Sequence, residues 1–327
     1  MYLAVFLVLF VLELVYFKIA DRYNIIDKPN HRSAHTEITL RGGGVIFPIA
    51  FLLYAANYFF RENSILSPQN YLIFGIGLLA ISTISFIDDI LDLSSKIRLV
   101  FHFISVSLLL CFINAFQLLP IWSIPILFIV IIGILNAYNF MDGINGMTGL
   151  YSLVTLGSLL YINQNFIAFT DNNFIIYPII ASLVFLFFNF RKKAKCFMGD
   201  IGSMGVAFWI IALLALLILR AKDIKYVLFL SVYGTDVVLT ILERLKLKEN
   251  IFEAHRRHLY QLFSNEKKVS HLVVSAIYAF LQLLINVIVI LLDLPIWLIF
   301  ASIIIPILII YLVIKTNIKK EIQSNKI

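Results

Sequence analysis

The sequence predicts an all-α fold, a polytopic membrane helical bundle. Of the 327 residues, 61% are hydrophobic and only 14% are charged, and the mean hydropathy is +0.96. A soluble domain carries about 25% charged residues. Long apolar runs recur along the whole chain, and a membrane-spanning helix needs about 20 mainly apolar residues. Because no linker rich in proline, glycine or serine divides the chain, we expect one integral membrane domain over residues 1–327.

The apolar runs predict about 11 transmembrane helices. The first starts at the N-terminus, which lacks the cationic start and the small-residue cleavage site of a signal peptide. The others follow in order, each bounded by polar residues. The predicted helices lie at approximately 1–20, 43–60, 70–87, 97–117, 120–137, 147–163, 174–190, 203–219, 224–242, 272–291 and 295–314.

The lysines and arginines predict which way the bundle is oriented. All but four of the 26 lie in one alternating set of loops and flanks; the exceptions are Arg61, Arg220, Lys222 and Lys225. Basic loops stay cytoplasmic, so we expect the N-terminus outside and the C-terminus in the cytoplasm. The net charge of +7 therefore reports topology, and we expect no nucleic-acid partner.

The polar sequences also gather on the predicted cytoplasmic side, whereas the opposite loops are short. A carrier or flippase for a lipid-linked sugar should instead place ionisable residues near the middle of the membrane, along a path. Acids collected at one interface indicate an active site that faces the cytoplasm. A non-enzymatic flippase or carrier is the alternative.

The loop at 21–42 ends in a basic, glycine-rich stretch. It carries His31, Arg32, His35 and Arg41 directly before three consecutive glycines. These residues suit a flexible substrate loop, and they equally suit an ordinary basic cytoplasmic loop. The sequence leaves the two interpretations open.

Three carboxylates follow the third predicted helix in the stretch SFIDDILDL. On a helix, Asp88, Asp89 and Asp92 fall within one sector of about 100°. Acids this close repel one another unless a cation or a basic partner is present. The alternative is a solvated helix end that pairs with Lys96 and Arg98.

A polar series in NAYNFMDGINGM follows the fifth predicted helix. Asn136, Asn139, Asp142 and Asn145 recur every three residues. Their side chains supply the hard oxygen ligands that Mg²⁺ prefers, usually one or two per site with phosphates and water completing it. A seam of hydrogen bonds between helices is the alternative.

The stretch FMGDIGSMG precedes the eighth predicted helix. Glycines surround Asp200 and Ser203 just before an apolar run. Backbone N–H groups at such a helix start bind phosphate, and Asp200 could hold a metal ion. A simple capping turn is the alternative.

The last polar stretch, EAHRRHLYQLF, contains a compact basic cluster. His255, Arg256, Arg257 and His258 suit a diphosphate, since arginine makes bidentate contacts with phosphate oxygens. A juxtamembrane loop that binds anionic lipid is the alternative. Upstream, Asp236 is costly in lipid and should face the bundle interior. The sequence leaves a structural and a catalytic role open for it and favours the structural one.

These elements, in this order, resemble the polyprenyl-phosphate N-acetylhexosamine-1-phosphate transferases of glycosyltransferase family 4. The family includes the peptidoglycan lipid I translocase and the initiating transferases of O-antigen and teichoic acid synthesis. The resemblance covers about residues 21–263. It rests on four motifs that occur together: Asp-Asp-x-x-Asp, Asn-x-x-Asn-x-x-Asp-Gly, Gly-Asp-x-Gly-Ser and His-Arg-x-His.

The resemblance implies a transferase that moves a sugar 1-phosphate from a UDP-sugar to undecaprenyl phosphate. UMP is released, and the lipid-linked sugar diphosphate starts a cell-surface polysaccharide. The implied cofactor is Mg²⁺, with Mn²⁺ as the alternative, and the implied location is the bacterial cytoplasmic (inner) membrane. A homodimer is compatible with the sequence. The sugar stays open among UDP-GlcNAc, UDP-GalNAc and N-acetylated 6-deoxyhexoses.

The resemblance also implies roles for the acids. The metal ligands of the family match Asn139 and Asp200, and Asp200 is counted with the catalytic residues. Asp88 and Asp89 match an acidic pair assigned to catalysis or to holding the lipid phosphate. Asp88 is the candidate base, although a phosphate monoester is already largely ionised at neutral pH because its second pKa is near 6.

The implied donor-binding residues come from two segments. Asp142 and Asn145 match the stretch that faces the nucleotide, while His255, Arg256 and His258 match the loop that binds the diphosphate or the sugar. Many family members have aspartate where this chain has Asn145, which puts a carboxylate function at that position in doubt.

Overall fold

The structure is a computed structural model that describes residues 1–28, 38–58, 65–91, 93–250 and 255–324. Five positions discussed above lie outside the described residues: His31, Arg32, His35, Arg61 and Asp92. The described residues form a helical bundle with a two-stranded sheet.

Thirteen α-helices occur in the described residues, most of them long and apolar. They are α1 (Tyr2–Arg22), α2 (Ile46–Tyr58), α3 (Pro68–Leu91), α4 (Ser95–Phe112), α5 (Ala115–Leu118), α6 (Ser123–Met141), α7 (Met147–Asn165), α8 (Asn172–Asn189), α9 (Gly199–Ala221), α10 (Ser231–Lys246), α11 (Leu259–Gln261), α12 (His271–Leu291) and α13 (Ile296–Ser324). The strands are β1 (Ile26–Asp27) and β2 (Thr39–Leu40).

A helix is present at each of the eleven predicted positions, and this confirms the all-α membrane bundle. Within the described ranges, nine of these positions hold a helix long and apolar enough to cross a membrane, one of them being α10 together with the short helix Ile224–Leu230 before it. The other two are α2, which is short, and α7, whose many hydroxyl and amide side chains lower its hydropathy. The orientation of the bundle stays a prediction.

Near the polar motifs, three predicted helix ends differ by four residues from the ends in the structure. The third predicted helix extends to Leu91 rather than to 87, the fifth to Met141 rather than to 137, and the eighth begins at Gly199 rather than at 203. Hydropathy marks where apolar residues stop, whereas the backbone hydrogen-bond ladder continues past that point. Most of the candidate acids therefore lie on terminal helical turns, which hold them more rigidly than loops would.

Helix α9 forms the centre of the bundle. In its most apolar window, 89% of the residues are buried, against 17% in the peripheral α13. Aromatic rings pack around its Trp209, including those of Phe51, Phe74 and Phe174, and the indole N–H donates to the Phe174 carbonyl at 3.0 Å. A buried central helix gives the polar residues at its start a fixed position.

The segment that follows α1 lies against the start of α9. Strand β1 pairs antiparallel with β2, and Leu40 of β2 forms a parallel bridge with Cys196. The pairing continues into the glycine run, where Gly43 and Gly44 donate backbone hydrogen bonds at 2.9 Å to the carbonyls of residues 197 and 198. This contact brings the basic end of the loop to the Gly-Asp-x-Gly-Ser turn.

Candidate active site

One charged cluster joins the glycine-rich segment to the ends of α3 and α9. A guanidinium nitrogen of Arg41 lies 2.5 Å from Asp89 and 3.4 Å from Asp200. Asp89 is fully buried, whereas the side chains of Arg41 and Asp200 are 33% and 22% exposed. The partly exposed pair is therefore the portion of this cluster that a ligand can reach.

Asp89 caps the N-terminus of α9 from a neighbouring helix. Its carboxylate accepts hydrogen bonds from the backbone N–H groups of Asp200 at 3.1 Å and Ile201 at 3.4 Å. The first N–H groups of a helix lack intrahelical partners and carry partial positive charge, so a carboxylate is favoured there. Asp89 thus holds the helix turn that carries Asp200. The roles predicted for it in catalysis or lipid-phosphate binding stay predictions.

Asp88 has a different environment, although it is the next residue. One oxygen accepts a hydrogen bond from the Leu93 backbone N–H at 2.8 Å, and the other from Arg98 at 2.9 Å. The Asp88 side chain is 7% exposed, but the Arg98 side chain is 42% exposed. The two adjacent acids thus organise two different arginines.

Glycine is required where the loop meets α9. A Cβ on Gly44 would lie 2.1 Å from the Gly202 Cα, and a Cβ on Gly199 would lie 2.6 Å from an Asp89 oxygen. Gly199 also has φ of +71°, a conformation that side chains disfavour. The glycines of both motifs therefore permit the close approach that places Arg41 beside Asp200.

The end of α6 contributes the predicted metal ligand Asn139. Its half-buried amide makes no hydrogen bond with any described residue, and Asp200 has a partly exposed carboxylate. Within the described ranges, no group of three or more His, Cys, Asp or Glu residues could hold a metal. Such a sparse set of oxygen donors suits Mg²⁺, which keeps waters and substrate phosphates as ligands, and does not suit an all-protein cage.

Asp142, which follows α6 directly, has an unusual proton affinity. Burial raises the pKa of this carboxyl to about 7, and the negative charge of Asp200 contributes to the increase. The two acids are therefore close enough to repel one another. A cation between or beside them would relieve this repulsion and favour the ionised form of Asp142.

Asn145 is buried and ties together the loops behind the cluster. Its side-chain amide donates to the Arg191 carbonyl at 2.8 Å, and its backbone carbonyl accepts from the Ser275 hydroxyl at 2.7 Å. The adjacent Gly146 N–H donates to the Asn189 side chain at 2.6 Å. These contacts hold α7, α8 and α12 together. The nucleotide-facing role predicted for Asn145 stays a prediction.

The histidine-containing loop lies against the end of α6. The Tyr260 hydroxyl donates to the Phe140 carbonyl at 2.9 Å, and the Tyr260 ring stacks on His258. His258 contacts a carboxylate of Asp236, 22 residues earlier in the chain, at 3.2 Å. This arrangement brings the His-Arg-x-His motif next to the polar series that includes Asn139 and Asp142.

The loop is less cationic than its sequence suggests. Burial lowers the pKa of His255 to about 4, and the charges of neighbouring basic side chains contribute, so the ring is neutral at pH 7. Arg257 forms ion pairs with Glu243 and Glu249. The diphosphate-binding role predicted for His255, Arg256 and His258 stays a prediction, and the loop offers less positive charge for it than the sequence suggests.

Two contacts of the site could not be predicted from the sequence. The role of Arg41 was left open within its loop, and this residue contacts both Asp89 and Asp200. The role of Asp236 was left open with a structural one favoured, and this residue contacts His258. The available signals were the position of Arg41 directly before three glycines and the rarity of an acid inside an apolar helix.

Comparison with known proteins places this geometry in context. Residues 71–218 match the family model described as Glycosyl transferase family 4. The chain is 25% identical to a probable undecaprenyl-phosphate N-acetylglucosaminyl 1-phosphate transferase of Bacillus subtilis, over 80% of this chain and 76% of the relative. It is also 25% identical to an undecaprenyl-phosphate α-N-acetylglucosaminyl 1-phosphate transferase of Thermotoga maritima, over 76% and 75% of the two chains.

A second group of relatives is named for a different transfer reaction. The chain is 30% identical to a phospho-N-acetylmuramoyl-pentapeptide-transferase of Petrotoga mobilis. That similarity covers 50% of this chain and 56% of the relative. The first two relatives match over a larger share of this chain, 80% and 76% against 50%.

Proposed function

We propose that the chain is a member of glycosyl transferase family 4, whose model matches residues 71–218, and that it transfers an N-acetylhexosamine 1-phosphate from a UDP-sugar to undecaprenyl phosphate. The products are UMP and the lipid-linked sugar diphosphate that begins a cell-surface polysaccharide. The broad match to undecaprenyl-phosphate N-acetylglucosaminyl 1-phosphate transferases favours UDP-GlcNAc as the first donor to test.

The observation that carries the proposal is the convergence of all four polar motifs at one end of the bundle. Arg41 contacts Asp89 and Asp200, and the charge of Asp200 acts on Asp142. The loop of His258 contacts the end of α6 through Tyr260. An anionic, doubly phosphorylated substrate needs this combination of cations, metal-ligating oxygens and hydrogen-bond donors.

The proposed reaction is a displacement at phosphorus. An oxygen of the lipid phosphate attacks the β-phosphorus of the UDP-sugar and forms a new P–O bond. The bond from that phosphorus to the bridging oxygen breaks, and UMP leaves with this oxygen and its electron pair. Such transfers depend mostly on positioning the two phosphates and neutralising their charge.

We propose that Asn139 and Asp200 hold a Mg²⁺ ion beside Asp142. When bound, the ion would neutralise the diphosphate and stabilise the leaving UMP. Asp89 keeps Asp200 in place through the start of α9, while Arg41 supplies positive charge next to the same carboxylate. These residues therefore orient the diphosphate of the donor.

For the acceptor, we propose that Asp88 positions Arg98 more than it removes a proton. Both Asp88 oxygens already accept hydrogen bonds, and the lipid phosphate is largely ionised at neutral pH. The exposed side chain of Arg98 can meet a phosphate that enters from the bilayer beside α3 and α4. The concentration of lysine and arginine in the loops on this side supports a cytoplasmic active site.

The test is reconstitution with defined substrates. Purified protein in lipid nanodiscs is mixed with undecaprenyl phosphate, Mg²⁺ and one of a panel of UDP-sugars. UMP release is followed, and the lipid products are identified by mass spectrometry. We expect UMP and a lipid-linked sugar diphosphate in equal amounts with at least one donor, and neither product without the lipid phosphate. Absence of UMP with every donor would refute the proposal.

A further inference from the structure

A buried carboxylate inside α10 forms the centre of a second polar cluster. Asp236 is 1% exposed and receives hydrogen-bonding groups from several elements. The contacting groups are the Leu259 backbone N–H at 3.1 Å, the Tyr278 hydroxyl at 2.7 Å, the Tyr311 hydroxyl at 3.0 Å, the Thr240 hydroxyl at 3.3 Å and the His258 Nδ1 at 3.2 Å. This number of donors satisfies an ionised carboxylate away from water.

The carboxylate fixes the protonation pattern of the His258 ring. An ionised carboxylate only accepts hydrogen bonds, so the Nδ1 atom that faces it must carry the proton. The neighbouring Leu259 N–H binds the same Asp236 oxygen, which holds the backbone of the loop as well as the ring. The ring is thereby restricted in both tautomer and direction.

The other nitrogen of the ring is left without a partner. Nε2 of His258 is buried and has no hydrogen-bonding partner within the described residues. A buried nitrogen without a partner is unfavourable, so this atom is available to a polar group of a ligand. The rings of His255 and Phe140, which are themselves partly exposed, lie beside the His258 ring with centroids 4.9 Å and 6.5 Å away.

The position of this nitrogen indicates which ligand it meets. The His258 ring stacks on Tyr260, whose hydroxyl contacts the Phe140 carbonyl in the last turn of α6. Asn139 and Asp142 lie on either side of Phe140 in the same segment. A ligand held by these residues is therefore adjacent to His258.

We propose that Asp236 is a positioning residue that acts through His258. It holds Nδ1–H, so that Nε2 is presented to the UDP-sugar bound at the end of α6. This inference rests on the proposed function. A purely structural Asp236 would only join α10 to α12 and α13, through Tyr278 and Tyr311.

Substitutions at residue 258 can separate the two ring nitrogens. The amide of asparagine reproduces a donor near Nδ1, so His258→Asn keeps the contact with Asp236 and loses Nε2. Glutamine extends its amide toward Nε2, so His258→Gln loses the contact and keeps the outer polar group. We expect His258→Asn to retain thermal stability but keep only a reduced, measurable turnover, and His258→Gln to be less stable with some turnover left.

The decisive test is a double-mutant cycle on kcat/KM in nanodiscs. We expect Asp236→Asn to lower kcat/KM by about 10- to 100-fold, the usual effect of losing a residue that orients a functional ligand. The matched control Tyr278→Phe removes another partner of the same carboxylate and should stay within about 3-fold of the parent protein. In a His258→Asn background, Asp236→Asn should lower kcat/KM little further. If Asp236→Asn lowers kcat/KM by the same factor in the parent protein and in the His258→Asn variant, the inference is overturned.

A spectroscopic measurement on the parent protein tests the inference even if the Asp236 and His258 variants fail to fold. Nitrogen-15 solid-state NMR of the histidine-labelled protein, with His258→Gln to assign the signal, should show a protonated Nδ1 at residue 258. A neutral ring protonated only at Nε2 would overturn the inference. A parent protein that releases no UMP with any donor would refute the proposed function instead, and the NMR result would still decide the role of Asp236.

Discussion

The contact between Gly44 and Gly202 provides the sharpest test of how the site is assembled. In Gly44→Ala, the new Cβ would lie 2.1 Å from the Gly202 Cα, 2.7 Å from its nitrogen and 2.8 Å from the Met198 carbonyl oxygen. Ordinary contacts begin at 3.4 Å, and the obstructing atoms are all backbone. The glycine-rich segment and α9 must therefore move apart by roughly 1 Å, because backbone cannot rotate away as a side chain can.

The expected losses of stability and activity in Gly44→Ala follow from the contacts that this movement disturbs. Overpacking of a well-packed contact costs about 1–3 kcal/mol of folding free energy. Arg41, three residues earlier, would lose its geometry with Asp89 and Asp200, and a displacement of about 1 Å in a site can reduce the rate about 100-fold. We therefore expect a variant that still folds but has about 100-fold lower kcat/KM.

The assay pairs turnover with thermal unfolding in the same nanodiscs. Gly133→Ala is the matched control, because a Cβ on this α6 glycine meets nothing within 4 Å. Alanine there should keep full turnover and gain about 0.5–1 kcal/mol through its better helix propensity. If Gly44→Ala keeps the activity and stability of the parent, or if Gly133→Ala loses as much, the close-approach reasoning is refuted.

Three other predictions concern individual side chains of the site. Asp200→Asn should abolish UMP release at every Mg²⁺ concentration; recovery at high Mg²⁺ would show that this carboxylate is not essential. Arg41→Lys should lower kcat/KM about 10-fold, since lysine lacks the planar fork that reaches both Asp89 and Asp200, and unchanged kinetics would contradict that contact. His255→Asn should leave the shape of the pH–rate profile unchanged between about pH 6 and 8, because a pKa of about 4 keeps this imidazole neutral throughout that range. Loss of a limb of the profile would show that His255 titrates there.

Much of the fold was predictable because bilayer insertion acts on local composition. The apolar runs of the sequence located a helix at every predicted position. These include α2 and α7, which are not among the nine described helices that are long and apolar enough to cross a membrane. It misplaced the helix ends near Leu91, Met141 and Gly199, since a helix continues for about a turn beyond the apolar core. The polar motifs stood out for the same local reason, as acids and amides in an apolar chain.

The partners of those polar residues were not predictable. Asp88 and Asp89 are adjacent in sequence, but one binds Arg98 and the other caps α9. Nothing in their spacing distinguishes them. Successive residues on a helix point about 100° apart, and only the packing of α3 against α4 and α9 decides what each one meets.

The sequence by itself therefore determined the class of fold, the segments that carry polar chemistry and the family resemblance. The tertiary structure alone decided that Arg41 reaches Asp89 and Asp200, and that Asp236 holds His258. The physical reason is the range of the interactions involved. Insertion into a membrane depends on about 20 neighbouring residues. A hydrogen bond depends on two atoms about 3 Å apart, and these become neighbours only when the helices have packed.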